Sequence, residues 1–191
     1  MRKLIVSALT TALCAALLVS CSAGASLSDA VREIQDDYRA AENISGVASI
    51  SANYGERVYD YRISFDFSPS GGTLEILEPE EIAGVTAKIS DGGATLVFDG
   101  AEVYAGEILP DGTSPVAAVP IMADVWRNGL VTESVRERLS GEDCVSVAFR
   151  VSDEVYLRTW FDLKTQLPLR SEFVYSGYSV ITCIFDNVRV E

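Results

Sequence analysis

No histidine occurs among the 191 residues. The commonest general base and the commonest metal ligand are therefore missing, and no serine or cysteine has an imidazole to activate it. Basic residues are scarce: 15 Lys and Arg stand against 28 Asp and Glu, a net charge of −13. Such a surface repels nucleic acid and anionic lipid and suits a soluble exported domain. The glycine pairs Gly71-Gly72 and Gly92-Gly93 are turn signals without the spacing of a phosphate-binding loop. Acidic pairs such as Asp36-Asp37 and Glu80-Glu81 fall on an expected helix face and an expected loop, with nothing to make two acids converge in a cleft. The many acids leave calcium open, but no loop has EF-hand ligand spacing. The expectation is a protein without catalytic residues, metal or other cofactor.

Long apolar runs are also absent. The longest, Leu4–Val19, is 16 residues, short of the roughly 20 that a spanning helix needs. It follows Arg2-Lys3 and precedes Ser20, the layout of a secretory signal. Leu18-Val19-Ser20-Cys21 resembles the lipobox of bacterial lipoproteins, which implies cleavage before Cys21 and diacylglycerol on its sulfur. The expected division is a signal peptide over 1–20, a tether over 21–27 and one domain over 28–191. Two acyl chains would hold Cys21 on the extracytoplasmic face of a membrane. In a cell with two membranes, Ser22 in place of Asp resembles an outer-membrane sorting signal. Removing residues 1–20 from the 191 leaves 171, and takes away two basic residues and no acid, so the charge falls to −15.

Cys14 leaves with the signal, so only Cys144 and Cys183 remain in the domain. Export permits a bridge between them. They fall on the first and fourth strands of an expected meander, roughly 14 Å apart unless the sheet curls. Two buried free thiols are the alternative.

Ser28-Asp29 reads as a helix start. Val31, Ile34, Tyr38 and Ala41 form one stripe at helical spacing, and Asn43 to Gly46 end the helix, giving 28–43. Beyond Gly46 the period becomes two. Strands are expected over 47–54, 57–67, 73–78, 85–90, 94–99 and 101–108. The second alternates strongly, with Tyr59, Tyr61, Ile63, Phe65 and Phe67 on one face and Asp60, Arg62, Ser64 and Asp66 on the other. Val116–Asn128 reads as a second helix closed by Gly129, with Pro120 in its first turns. The stretch 131–140 alternates weakly and reads as a strand, although Thr132 would also cap a short helix. Strands over 144–151, 154–163, 169–176 and 178–190 follow. Many short alternating strands with frequent turns indicate an antiparallel sheet with one solvated face, or a barrel.

Three segments resemble the outer-membrane lipoprotein carrier superfamily, the LolA/LolB-like proteins. They are Phe67–Val85, with its Phe67-Ser68-Pro69 and Pro79-Glu80-Glu81-Ile82-Ala83-Gly84-Val85; the hairpin start Thr95–Gly100; and Trp160–Glu172, an aspartate, a turn, a leucine-proline pair and a strand. The resemblance implies a mainly β fold with helices, in which a single curved antiparallel sheet forms an unclosed half-barrel covered by helices. It implies a non-enzymatic protein that takes an acyl chain or a lipoprotein into an apolar hollow. The expected lining is Tyr59, Tyr61, Ile63 and Phe65 from one strand, Leu96 and Phe98 from another, Leu157 and Phe161 from a third, and Met122 and Trp126 from the second helix. Any single aromatic on such a face is more often core than pocket lining. The anchored cysteine also resembles the GerS-type germination lipoproteins, which implies the other function: a regulatory or structural lipoprotein that binds an envelope protein partner such as a cortex amidase.

Overall fold

The computed structural model describes residues 26–90, 92–108 and 112–191. The signal peptide, Cys14, Cys21 and most of the tether lie outside the described residues.

Helix α1 spans Leu27–Ala40. Its start lies two residues before the expected serine: the Ser26 hydroxyl accepts from the Asp29 amide and the Asp29 carboxylate accepts from the Ser26 amide. This reciprocal pair satisfies two amides that the helix cannot. Val31, Ile34, Tyr38 and Ala41 are all buried, as their spacing requires.

Eleven strands follow: β1 (Ile44–Asn53), β2 (Val58–Ser68), β3 (Gly71–Glu78), β4 (Thr86–Ser90), β5 (Gly93–Phe98), β6 (Ala101–Glu107), β7 (Leu130–Leu139), β8 (Glu142–Arg150), β9 (Val155–Asp162), β10 (Pro168–Tyr175) and β11 (Tyr178–Val190). Helix α2 (Pro115–Asn128) interrupts them between β6 and β7. The ambiguous stretch is therefore a strand; Thr132 donates its hydroxyl to the Ala148 carbonyl across the pair and caps nothing.

All eleven strands form one antiparallel sheet in the order β6-β5-β4-β3-β2-β1-β11-β10-β9-β8-β7. It is two meanders joined where β1 pairs with β11. The sheet is not closed: β6 and β7 end it, and among the described residues neither has a strand on its outer edge. Six of the ten pairings carry a register shift, and such bulges bend and twist a sheet. Neighbouring residues of α2 reach strands four steps apart, Trp126 to Thr159 on β9 and Arg127 to Phe67 on β2. Flat, those strands would stand about 19 Å apart; the sheet wraps around the helix. The half-barrel covered by helices is thus present.

Two sequence expectations change in detail. Gly129 closes α2, but in extended backbone (φ −65°, ψ 145°) and not in the left-handed region. Space is what demands glycine here. A Cβ would lie 2.5 Å from the Val125 carbonyl oxygen and 3.1 Å from the Phe149 ring. Cys144 and Cys183 are both buried and free. Cys144 faces outward on β8 beside Glu137, whereas Cys183 faces the concave side of β11 opposite Ile50 and Ser171. The sheet itself separates the two thiols, and burial pushes both thiols up in pKa.

The segment from Trp160 to Pro168 owes its turn to Asp162. One carboxylate oxygen accepts from the Lys164 and Thr165 amides at 2.8 and 2.7 Å and from the Thr165 hydroxyl at 3.1 Å. Burial alone would raise this carboxyl; the hydrogen bonds from Thr165 and Lys164 outweigh it and hold it below its usual value. Its stabilisation is therefore present above the unfolded value near pH 3.9 and is lost as pH falls through the lower folded value. Asp162→Ala is expected to cost about 1–3 kcal/mol at neutral pH. Urea midpoints should show the gap narrowing below about pH 4.

Candidate functional site

The concave face carries the inward side chains of every strand, and two regions of it differ sharply. Over β1, β2 and β8–β11 it is filled by the protein itself. Trp126 is fully buried there, with ring centroids 5.7 Å from Tyr38, 6.1 Å from Phe161 and 5.4 Å from Phe185, all edge-on. Its indole N–H donates to the Thr159 hydroxyl at 2.9 Å, which in turn is 2.7 Å from the Ser171 hydroxyl. Met122 is likewise fully buried on α2, and Ile63, Phe65, Leu157 and Phe161 are buried beneath it. Six of the ten side chains expected to line a cavity thus lie in the core. They pack against the protein's own helices. Tyr38, buried to the point that its hydroxyl is pushed up in pKa, ties α1 to the far rim by donating to the Gln166 carbonyl.

The other four lie where the cover ends. Tyr61 and Leu96 are half-buried, Tyr59 is 40% exposed and Phe98 is 53% exposed. The register places two more residues with them. Val103 stands opposite Leu96 on β6 and is 62% exposed; Ile76 stands opposite Ile63 on β3 and is half-buried. The sequence offered a signal for Val103, since Ala101, Val103 and Ala105 alternate with Glu102 and Tyr104, but only the pairing with β5 shows which face they share. The result is an apolar strip from the start of β2 towards the free edge at β6, on the concave side, over which no helix among the described residues is packed. Exposed apolar surface gathered in one concave place marks an interaction site.

The outer face mixes polar and apolar side chains. A groove of about 580 Å³ there is lined by polar Ser49, Ser51, Asp60, Arg62, Glu78 and Thr182 and by apolar Ile50, Tyr61, Pro79 and Ile184. Arg62 and Asp186 form an ion pair across it at 3.3 Å, half-exposed and so worth little. Among the described residues, no group of three or more Cys, Asp or Glu side chains is placed to hold a metal ion, and no helix is long and apolar enough to cross a membrane.

An open antiparallel half-barrel, strapped by one helix from edge to edge and bare at one end, is the class that this fold defines. No protein family and no curated protein matches the chain. Solved structures do. The chain is similar to a DUF1329 family protein from Desulfovibrio piger at 12% identity and TM-score 0.49, over 85% of this chain and 91% of that one. It is similar to a LolA superfamily protein from Nitrosomonas europaea at 10% identity and TM-score 0.48, over 88% and 94%. It is similar to the lipoprotein LppX of Mycobacterium tuberculosis at 11% identity and TM-score 0.44, over 86% and 98%.

Proposed function

We propose that this chain is a lipid-anchored, non-enzymatic protein of the cell envelope that holds the apolar part of an amphiphile, such as an acyl chain, against the bare end of its concave face. The observation that supports it is the strip Tyr59, Tyr61, Ile76, Leu96, Phe98 and Val103, apolar and concave yet left in water. Covering it gains roughly 0.8 kcal/mol for each methylene buried. The anchor on Cys21 would keep the domain beside a membrane, where such ligands are. A fixed cover over the rest of the hollow means that the ligand adds to the strip and does not displace α2.

A second reading, a regulatory lipoprotein with an envelope protein partner, draws on the free edge of β6, whose outer side has no strand partner among the described residues and whose residues are nearly all exposed. Titration with the neutral fluorescent probe N-phenyl-1-naphthylamine separates the two. Phe98→Asp places a carboxylate on the strip, where burial under an apolar ligand is costly. It is expected to weaken probe binding at least about tenfold while leaving the melting temperature within about 1–2 °C, since Phe98 supports little of the core. Equal binding by the variant and the wild type would reject the strip as the ligand site.

A further inference from the structure

Charges buried in proteins are paired with opposite charges or the group is avoided. Arg127, in the last turn of α2, breaks this rule. It is only 5% exposed. Its Nε donates to the Tyr38 carbonyl and one terminal nitrogen to the Phe67 carbonyl, each at 3.2 Å. Those two bonds leave much of the five-donor fork unused, and among the described residues no carboxylate lies within 4 Å of it. Burial depresses its pKa, and the charge of Asp124 one turn away only partly offsets this. Asp124 itself is engaged by the Asn128 amide at 2.9 Å.

Arg127 also lines a cavity of about 530 Å³ between α2 and the β2–β3 turn. Its floor and walls are amphiphilic. Phe67, Ile89, Pro120 and Ala123 are apolar; Asp124 and Asn128 line it too, and Ser68 and Ser70 bring two hydroxyls 2.9 Å apart, that of Ser68 donating to the Gly71 carbonyl at 3.0 Å. A buried cation with no carboxylate on it, the Ser70 hydroxyl and an apolar wall make a set that fits a tetrahedral or planar oxyanion attached to a greasy group, bound against the opposing charge of Asp124 in the same wall. We propose that this cavity is an oxyanion site, which takes a phosphate or carboxylate through Arg127 with Ser68 and Ser70 beside it. The site lies at the opposite end of β2 from Tyr59. Eight residues of strand, roughly 26 Å, separate Phe67 from Tyr59, with buried Ile63 and Phe65 between them, so the site stands apart from the apolar strip and does not rest on that reading.

The test titrates the purified full chain with dodecyl phosphate, dodecanol and inorganic phosphate. It follows the Arg127 Nε–Hε resonance together with the dissociation constant. Dodecyl phosphate is expected to move that resonance and to bind at least about tenfold more tightly than dodecanol. Inorganic phosphate that moves the same resonance identifies a free oxyanion as sufficient; its failure to do so, with dodecyl phosphate still selective, assigns the site to a head group. Arg127→Gln should abolish the selectivity. Because that change also removes two ties of α2, Asp124→Asn provides the second arm: it leaves Arg127 in place, removes the nearby negative charge and should tighten phosphate binding about threefold or more. Dodecanol and dodecyl phosphate binding equally, with Asp124→Asn neutral, would overturn the oxyanion site and leave the apolar strip standing. Phosphate binding without either amphiphile would do the reverse, and no binding at all would remove both.

Discussion

Trp126→Ala is expected to lower the unfolding free energy by about 3–5 kcal/mol, the cost of emptying a fully buried aromatic site. Three features drive the number. The indole meets Tyr38 from α1, Phe161 from β9 and Phe185 from β11, so its loss opens a void where three elements join. It also removes the donor to Thr159, which stays buried beside Ser171. Finally, it loosens α2 where it packs across the hollow. Trp126→Phe separates these effects: it keeps most of the ring packing and loses the donor, so about 1–3 kcal/mol is expected. Urea denaturation read by far-UV circular dichroism measures both. The result bears on function as well as on folding. If α2 were a loosely held lid, removing Trp126 would cost under about 1 kcal/mol and would admit an apolar probe more readily; a fixed strap predicts a large loss of stability and no gain in binding.

Cys21→Ser is expected to abolish lipid modification altogether. The thiolate sulfur is the acceptor in the lipobox reading, and serine offers none. The wild-type protein should have an intact mass lacking residues 1–20 and raised by the attached diacylglycerol; the variant should keep its signal segment and carry no lipid. Mass is the decisive readout, because the uncleaved Leu4–Val19 run could hold the variant on a membrane by itself. A second consequence follows from chain number. One acyl chain binds a bilayer marginally and two bind stably, so the wild type should stay in the membrane fraction through high-salt washing. An unmodified Cys21 in the wild type would refute the anchor and leave the fold untouched.

The fold could largely be read from the residues because each element has a local signal. The stripe Val31, Ile34, Tyr38 and Ala41 has only one solution that buries all four, and the alternation from Tyr59 to Phe67 fixes which face turns inward. The site was only half readable. Phe65 and Phe98 are both aromatic and both inward in register; one is core and the other exposed because α2 covers β2 and stops short of the end of β5. That is a fact about chain segments far apart, and no window of sequence contains it. For Cys144 and Cys183 the sequence already set the strands apart; that they lie on opposite faces follows only from the register. Gly129 carried a true signal with a different cause: its neighbours Val125 and Phe149 leave no room for a side chain. Arg127 gave no signal, since an arginine near a helix end is ordinarily solvated and favours the dipole there.

The account turns on the bare strip between β2 and β6 holding an apolar ligand. Native mass spectrometry of the protein purified from its own membranes in a mild detergent tests this directly, with Phe98→Asp/Val103→Asp purified in parallel. The wild type should carry one non-covalent lipid that is released on denaturation, in addition to the covalent lipid on Cys21, and the double variant should carry the covalent lipid alone. A wild type with no non-covalent mass, or a double variant that retains the same ligand, would contradict it.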